Sequence, residues 1–246
     1  METKCLLPGV WDVPQIFRDR LGASVGRQRA MVADDHLLLV LHVPPKADQT
    51  ERVGRFLWRK PDGIWTSNDL GSGPQVVAKH LDQFAKTIQD CDAREEQAKT
   101  AEDYFHVLEQ LAPIQRTARN LHAVLQEARQ ACPADRDLIN FRDRAYELER
   151  TAELLQIETK RSWDLLIARK ADEQAQAGRR MAASAHRLNL LAAFFFPISC
   201  LSGVLGVNLA HGWETRSAPQ PFFAFVAAGA ILGGILMFFV AAANRK

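Results

Sequence analysis

Ser199, Cys200, Ser202 and Asn208 are the polar side chains of an otherwise apolar stretch, FFFPISCLSGVLGVNLAHG at 194–212, which also carries Gly203, Gly206, His211 and Gly212. A hydroxyl, a thiol, an amide oxygen and an imidazole can each meet a cation. A tight zinc site wants His, Cys or carboxylate ligands, and of these the uncharged runs 188–210 and 221–243 supply only Cys200. Asn208 has a plainer reading too, as the C-cap of a helix helped by Gly206 and Gly212. Gly203 and Gly206 either expose backbone carbonyls at a close approach or pack against small residues such as Gly229, Gly233 and Gly234. His211 is either a proton-coupling group or a solvated loop residue.

Other reactive types are dispersed. The four cysteines (Cys5, Cys91, Cys132, Cys200) have no paired spacing, and the seven histidines are scattered. Asp90, Asp92, Glu95 and Glu96 form the densest acidic cluster, with Asp172 and Glu173 further on. Such runs are solvated helix faces or, when brought together, metal sensors. No phosphate-cradling glycine loop, nucleophile elbow or paired metal-ligand motif is present, so the chain does not read as an enzyme and implies no cofactor.

The elements that position these residues begin with two uncharged runs, Leu188–Ala210 and Pro221–Ala243. Each is long enough to cross a hydrocarbon core of about 30 Å as a helix. FFAFVAAGAILGGILMFFVAAA is apolar all round, unlike a two-faced core helix. A membrane protein with two C-terminal spans is expected, although the mean hydropathy of the whole chain is slightly negative. Arg179, Arg180 and Arg187 precede the first run and Arg245 and Lys246 follow the second, whereas the connecting loop holds only Arg216. Both termini should therefore be cytoplasmic. A net charge of +2 implies no nucleic-acid partner.

Residues 1–72 read as a small cytoplasmic α/β domain. VPQIFRDRLG suggests a short helix, HLLLVLHVP a strand, and RVGRFLWRKPDGIWTSND two strands around Pro61-Asp62-Gly63. Residues 73–187 read as a helical bundle and stalk. Val77, Leu81, Phe84 and Ile88 mark one seam; Val107, Leu111, Ile114, Ala118, Leu121 and Leu125 mark a second. Pro113 should kink or break that second helix. A third seam, Leu138, Phe141, Ala145, Leu148, Ala152 and Leu155, follows a start capped by Asp135 or Asp137. Unbroken into the first span, that helix would run about 110 Å and must lean on neighbours. The remaining divisions are span one at 188–209, an external loop at 210–220, span two at 221–243 and a tail at 244–246.

This plan resembles the CorA-type divalent-cation transporters. The likeness rests on Pro197, Ser202-Gly203 and Gly206-Val207-Asn208 in the family's spacing. It extends to LAPIQRTARNLHAVLQEA and FRDRAYELERTAELL, and covers about residues 104–243. Gly-Val-Asn stands where magnesium members have Gly-Met-Asn, and is closer to the ZntB-like, zinc-transporting branch. The acidic external loop of magnesium members is reduced to Glu214 beside Arg216, and the N-terminal domain is short.

The resemblance implies a mainly α membrane protein with a small N-terminal α/β cytoplasmic domain, a long stalk helix and two C-terminal transmembrane helices. It also implies a homopentamer in the cell inner membrane. Gly206, Val207 and Asn208 would form the ion-selectivity motif. A ring of uncharged amide oxygens suits a cation that keeps its water, as magnesium prefers to, so Asn208 would meet the metal through its hydration shell. Ser199, Phe196, Ala192, Leu188 and Gly203 would line the pore, with Phe196 and Leu188 as hydrophobic constrictions. Asp90, Asp92, Glu95, Glu96, Asp172 and Glu173 are candidates for a regulatory metal site. The implied substrate is a divalent cation, zinc or magnesium with cobalt or nickel as further candidates; the competing reading is a non-conducting CorA-like scaffold or metal-sensing protein.

Overall fold

The computed structural model describes residues 6–46, 52–206 and 220–243. Its elements are α1 (Gln15–Asp19), β1 (Arg29–Ala33), β2 (His36–His42), β3 (Gly54–Arg59), β4 (Trp65–Ser67), α2 (Val76–Gln97), α3 (Ala101–Ala131), α4 (Asp137–Gly206) and α5 (Gln220–Ala243). Contacts divide the chain into two units, Met1–Ala168 and Arg169–Lys246. The fold is mainly helical, with an N-terminal four-stranded sheet, one 70-residue helix and a C-terminal apolar helix.

The first unit is organised by β2, HLLLVLH. The sheet is an antiparallel meander in the order β1-β2-β3-β4, and β2 is buried along nearly its whole length. Alternate residues serve two cores, as the period of a strand requires. Leu37, Leu39 and Leu41 join the α2–α4 core, while Leu38 and Val40 join a second core with Leu7, Trp11, Phe17 and Trp58. Covering both sheet faces explains why β2 is a continuous apolar run.

β1 does not stand out in the sequence, because RAMVA is short and opens on Arg29. It is set by the hairpin turn Asp34-Asp35, where both residues have positive φ (50° and 61°) and Ala33 pairs with His36. Two positive-φ residues fit the mirror-image turn that two-residue hairpins favour, and aspartate tolerates it better than most side chains.

The helical seams pack as their spacing implies. Val77, Leu81, Phe84 and Ile88 of α2, the α3 set from Val107 to Leu125, and Leu138, Ala145, Leu148, Ala152 and Leu155 of α4 form one core, with Phe141 packed against it. Each fully buried leucine adds roughly 1.5–3 kcal/mol. The sheet therefore shares its core with the helices. α3 starts at a capping box: Thr100 accepts from the Asp103 amide at 3.1 Å, and Asp103 accepts from the Thr100 amide at 2.8 Å. Pro113 does not end α3, which runs on to Ala131. Asp135 accepts from the Asp137 amide at 3.0 Å at the start of α4.

Arg55 links the sheet to α2. Its Nη2 donates to Asp69 at 2.7 Å and its Nη1 to Gln83 at 2.6 Å, with His80 Nδ1 2.8 Å away. Burial, and then the neighbouring Arg55 charge, lower the His80 pKa to about 3. Neutral His80 can accept from Arg55 through Nδ1, which leaves the ring proton on Nε2. That nitrogen has no hydrogen-bond partner among the described residues; the Phe84 ring lies 5.3 Å away, edge to face. Burial raises the Asp69 carboxyl, but hydrogen bonds from Arg55 and Ser67 outweigh it and hold the pKa below its usual value.

Candidate functional site

Within the second unit, α4 is helical from Leu188, where the first apolar run begins, to Gly206, and α5 spans Gln220–Ala243. The two most apolar windows are only 6% and 11% buried inside the protein. A core helix of a soluble protein would be mostly covered, so these surfaces suit a membrane.

α5 lies against α4 through its glycines. A Cβ added at Gly233 would sit 2.4 Å from the Phe194 backbone oxygen, and one at Gly229 would sit 3.0 Å from Ile198 Cγ1. The i, i+4 spacing of Gly229 and Gly233 places both on one face of α5, the small-residue geometry that lets membrane helices approach closely. Pro197 is buried beside this contact, and α4 continues through it.

The residues expected along the pore lie elsewhere on α4. Leu188, Ala192, Phe196, Ser199 and Gly203 step by three or four residues and so share a face. At 100° per residue, Ala192 and Gly203 lie roughly opposite Phe194 and Ile198. All five are exposed, Leu188 at 64% and Phe196 at 65%. A Cβ at Gly203 would meet nothing within 4 Å. Packing against α5 is thus the role of Gly229 and Gly233, and does not account for Gly203. Ser199 Oγ donates to the Phe195 carbonyl at 3.1 Å, leaving its oxygen lone pairs on an exposed side chain. Of the three phenylalanines, Phe194 is tied to α5 through its backbone, while the side chains of Phe195 and Phe196 are exposed.

Gly206 is the last residue of α4. Val207, Asn208 and His211 lie outside the described residues, as do Glu214 and Arg216. The candidate regulatory carboxylates are divided between the two units. Asp90, Asp92 and Glu96 are exposed on α2 and Glu95 is half-buried. Asp172 accepts from Gln176 at 2.9 Å, and Glu173 pairs with Arg169 at 3.6 Å. No group of three or more His, Cys, Asp or Glu side chains that could hold a metal ion occurs among the described residues.

The sequence pattern did not reveal the α4–α5 register. Its signal was present in GAILGG, where Gly229 and Gly233 are four apart, but the pattern does not say which turn of α4 they meet.

No protein-family profile and no curated protein sequence matches the chain. Among solved structures it is similar to the full-length CmaX protein, with a TM-score of 0.54 and 14% identity over 95% of this chain and 82% of that one. This is a likeness of fold. The CorA magnesium transporter from Methanocaldococcus jannaschii gives a TM-score of 0.40 and 12% identity, over 87% of this chain and 80% of that one. That second likeness is too loose to bear on function.

Proposed function

We propose that the protein is a CorA-like divalent-cation transporter or channel, a homopentamer in which the open face of α4 lines the path. The observation that carries this reading is the division of α4 into two sides. α5 packs at Phe194 and Ile198, while the line from Leu188 to Gly203 is exposed among the described residues. The motif spacing around Pro197 and Asn208 supports the same reading.

In such a ring, one Asn208 amide oxygen per subunit would meet a hydrated ion at the outer mouth. Ser199 would offer hydroxyl oxygens further in, and Phe196 and Leu188 would form narrow apolar rings that dewet the path when closed. The membrane potential supplies the driving force: about 2.3 kcal/mol per charge at 100 mV, or about 4.6 for a divalent ion. Neither apolar run holds an Asp, Glu, Lys, Arg or His between Leu188 and Ala210 or between Pro221 and Ala243, which favours conduction over proton coupling. Both termini would face the cytoplasm, with the 210–220 loop outside. The Gly-Val-Asn variant favours zinc, and the uncharged oxygens favour a hydrated ion such as magnesium.

The test is uptake into proteoliposomes, zinc and magnesium in parallel, for the parent protein and Asn208→Ala. Uptake of either ion that collapses in the variant is expected, and identifies the preferred ion. A stable oligomer that moves neither ion under any imposed voltage or pH gradient would instead make the protein a non-conducting membrane scaffold.

A further inference from the structure

The first unit contains a concavity of about 670 Å³. Its walls are the Val43–Pro44–Pro45 segment after β2, the side of α2 that carries Lys86, Asp90 and Arg94, and Ile114 of α3. Its size falls within the usual range for small-molecule sites, roughly 300–1,000 Å³.

The charge lining it is one-sided. Among the described residues, Lys46, Lys86 and Arg94 line the concavity against one carboxylate, that of Asp90. None of these four takes part in an ion pair formed among the described residues. Arg94 Nη1 instead donates to Gln110 Oε1 at 2.6 Å, which holds the guanidinium at the groove. Arg55 also lines the concavity, but its guanidinium is committed to Asp69, His80 and Gln83. Three cations against one carboxylate leave a formal excess of two positive charges. Concave walls of low dielectric concentrate such a field and draw in counter-ions.

Part of the lining is apolar. Val43, Pro44, Pro45 and Ile114 offer side chains without donors, and the prolines lack even a backbone N–H. A bare inorganic ion would use only the charged side of this space.

We propose that this concavity binds a small organic anion with at least two negative charges, phosphate- or carboxylate-bearing, whose body rests on the Val43–Pro45 wall. The inference does not depend on the transport reading, because all of its residues lie in the first unit.

Isothermal titration calorimetry of the full-length protein in detergent tests it, with metal-free ATP, citrate and inorganic phosphate as probes. Saturable binding of ATP or citrate is expected, at least tenfold weaker in the Lys86→Ala/Arg94→Ala protein and weaker in high salt. Lys79→Ala, exposed on α2 and outside the lining, should bind as the parent does. Asp90→Asn should bind several-fold more tightly, a gain that loss of folding cannot produce. ATP binding without citrate binding assigns the site to phosphate-bearing anions, and the reverse to carboxylates. The proposal is overturned if neither organic anion binds saturably, or if inorganic phosphate binds as tightly as both. It is equally overturned if the Lys86→Ala/Arg94→Ala protein retains parent affinity, or if Asp90→Asn fails to tighten binding.

Discussion

The two units treat their apolar side chains in opposite ways. In Met1–Ala168, Leu37, Leu39, Phe84 and Leu121 are fully buried by their own chain. In Arg169–Lys246, Phe196, Phe238 and Phe239 are 65%, 69% and 65% exposed. The first unit completes its core by itself, with helices on one sheet face and the N-terminal segment on the other. The second satisfies its backbone through helical hydrogen bonds and leaves most of its apolar surface for another medium. The lesson lies in the interior contact each unit does make. Where the first unit uses large side chains to fill space, the α4–α5 pair uses glycines to bring backbones together, an arrangement suited to helices whose large side chains face lipid.

The largest expected effect lies in the self-sufficient core. Phe84→Ala should destabilise the first unit by about 3–5 kcal/mol, read as a lowered denaturant midpoint by far-ultraviolet circular dichroism. A loss below about 1 kcal/mol would mean that the unit's stability lies elsewhere.

Next is the glycine contact. Gly233→Ala should cost about 1–3 kcal/mol, because its Cβ meets the Phe194 backbone, which cannot rotate away. Gly234→Ala, whose Cβ meets nothing within 4 Å, should be neutral. Thermal unfolding in detergent compares the pair, and equal effects would contradict the α4–α5 register.

The third effect depends on pH. The unfolded chain protonates His80 below about pH 6.5, while the folded protein resists until about pH 3. Stability present above pH 6.5 is therefore lost as pH falls through that window, by about 1.4 kcal/mol per pH unit. His80→Gln retains an acceptor for Arg55 and should flatten the slope between pH 6 and pH 4.5. An unchanged slope would assign the acid sensitivity to other groups.

Much of this architecture was legible from residue spacing. The three helical seams follow from periodicity, the strand 36–42 from its β-branched and leucine content, and the long course of α4 from the lack of a proline between Pro133 and Pro197. β1 escaped because five residues opening on Arg29 make no pattern, although Asp34-Asp35 between apolar runs was a usable turn signal. Of the two readings of Pro113, the structure excludes a break, since α3 runs through it with Leu111, Ile114 and Ala118 buried in one core. The Arg55–Asp69–His80–Gln83 network was not legible, because only the sheet brings those distant positions together. At the candidate site, the family resemblance pointed to Leu188, Ala192, Phe196, Ser199 and Gly203, and their spacing lets one helical face carry them. Which side of α4 stays open depends on where Gly229 and Gly233 land, and that needed the structure.

The central claim is that the open face of α4 lines an ion path. Its most direct test is divalent-ion uptake by Ser199→Cys protein, with Cys200 replaced by Ala, before and after a charged thiol reagent. Ile198→Cys in the same background is the control from the side that α5 covers. The account predicts block at position 199 and little effect at position 198. Equal block at both positions, or uptake that the reagent leaves unchanged at position 199, would contradict it.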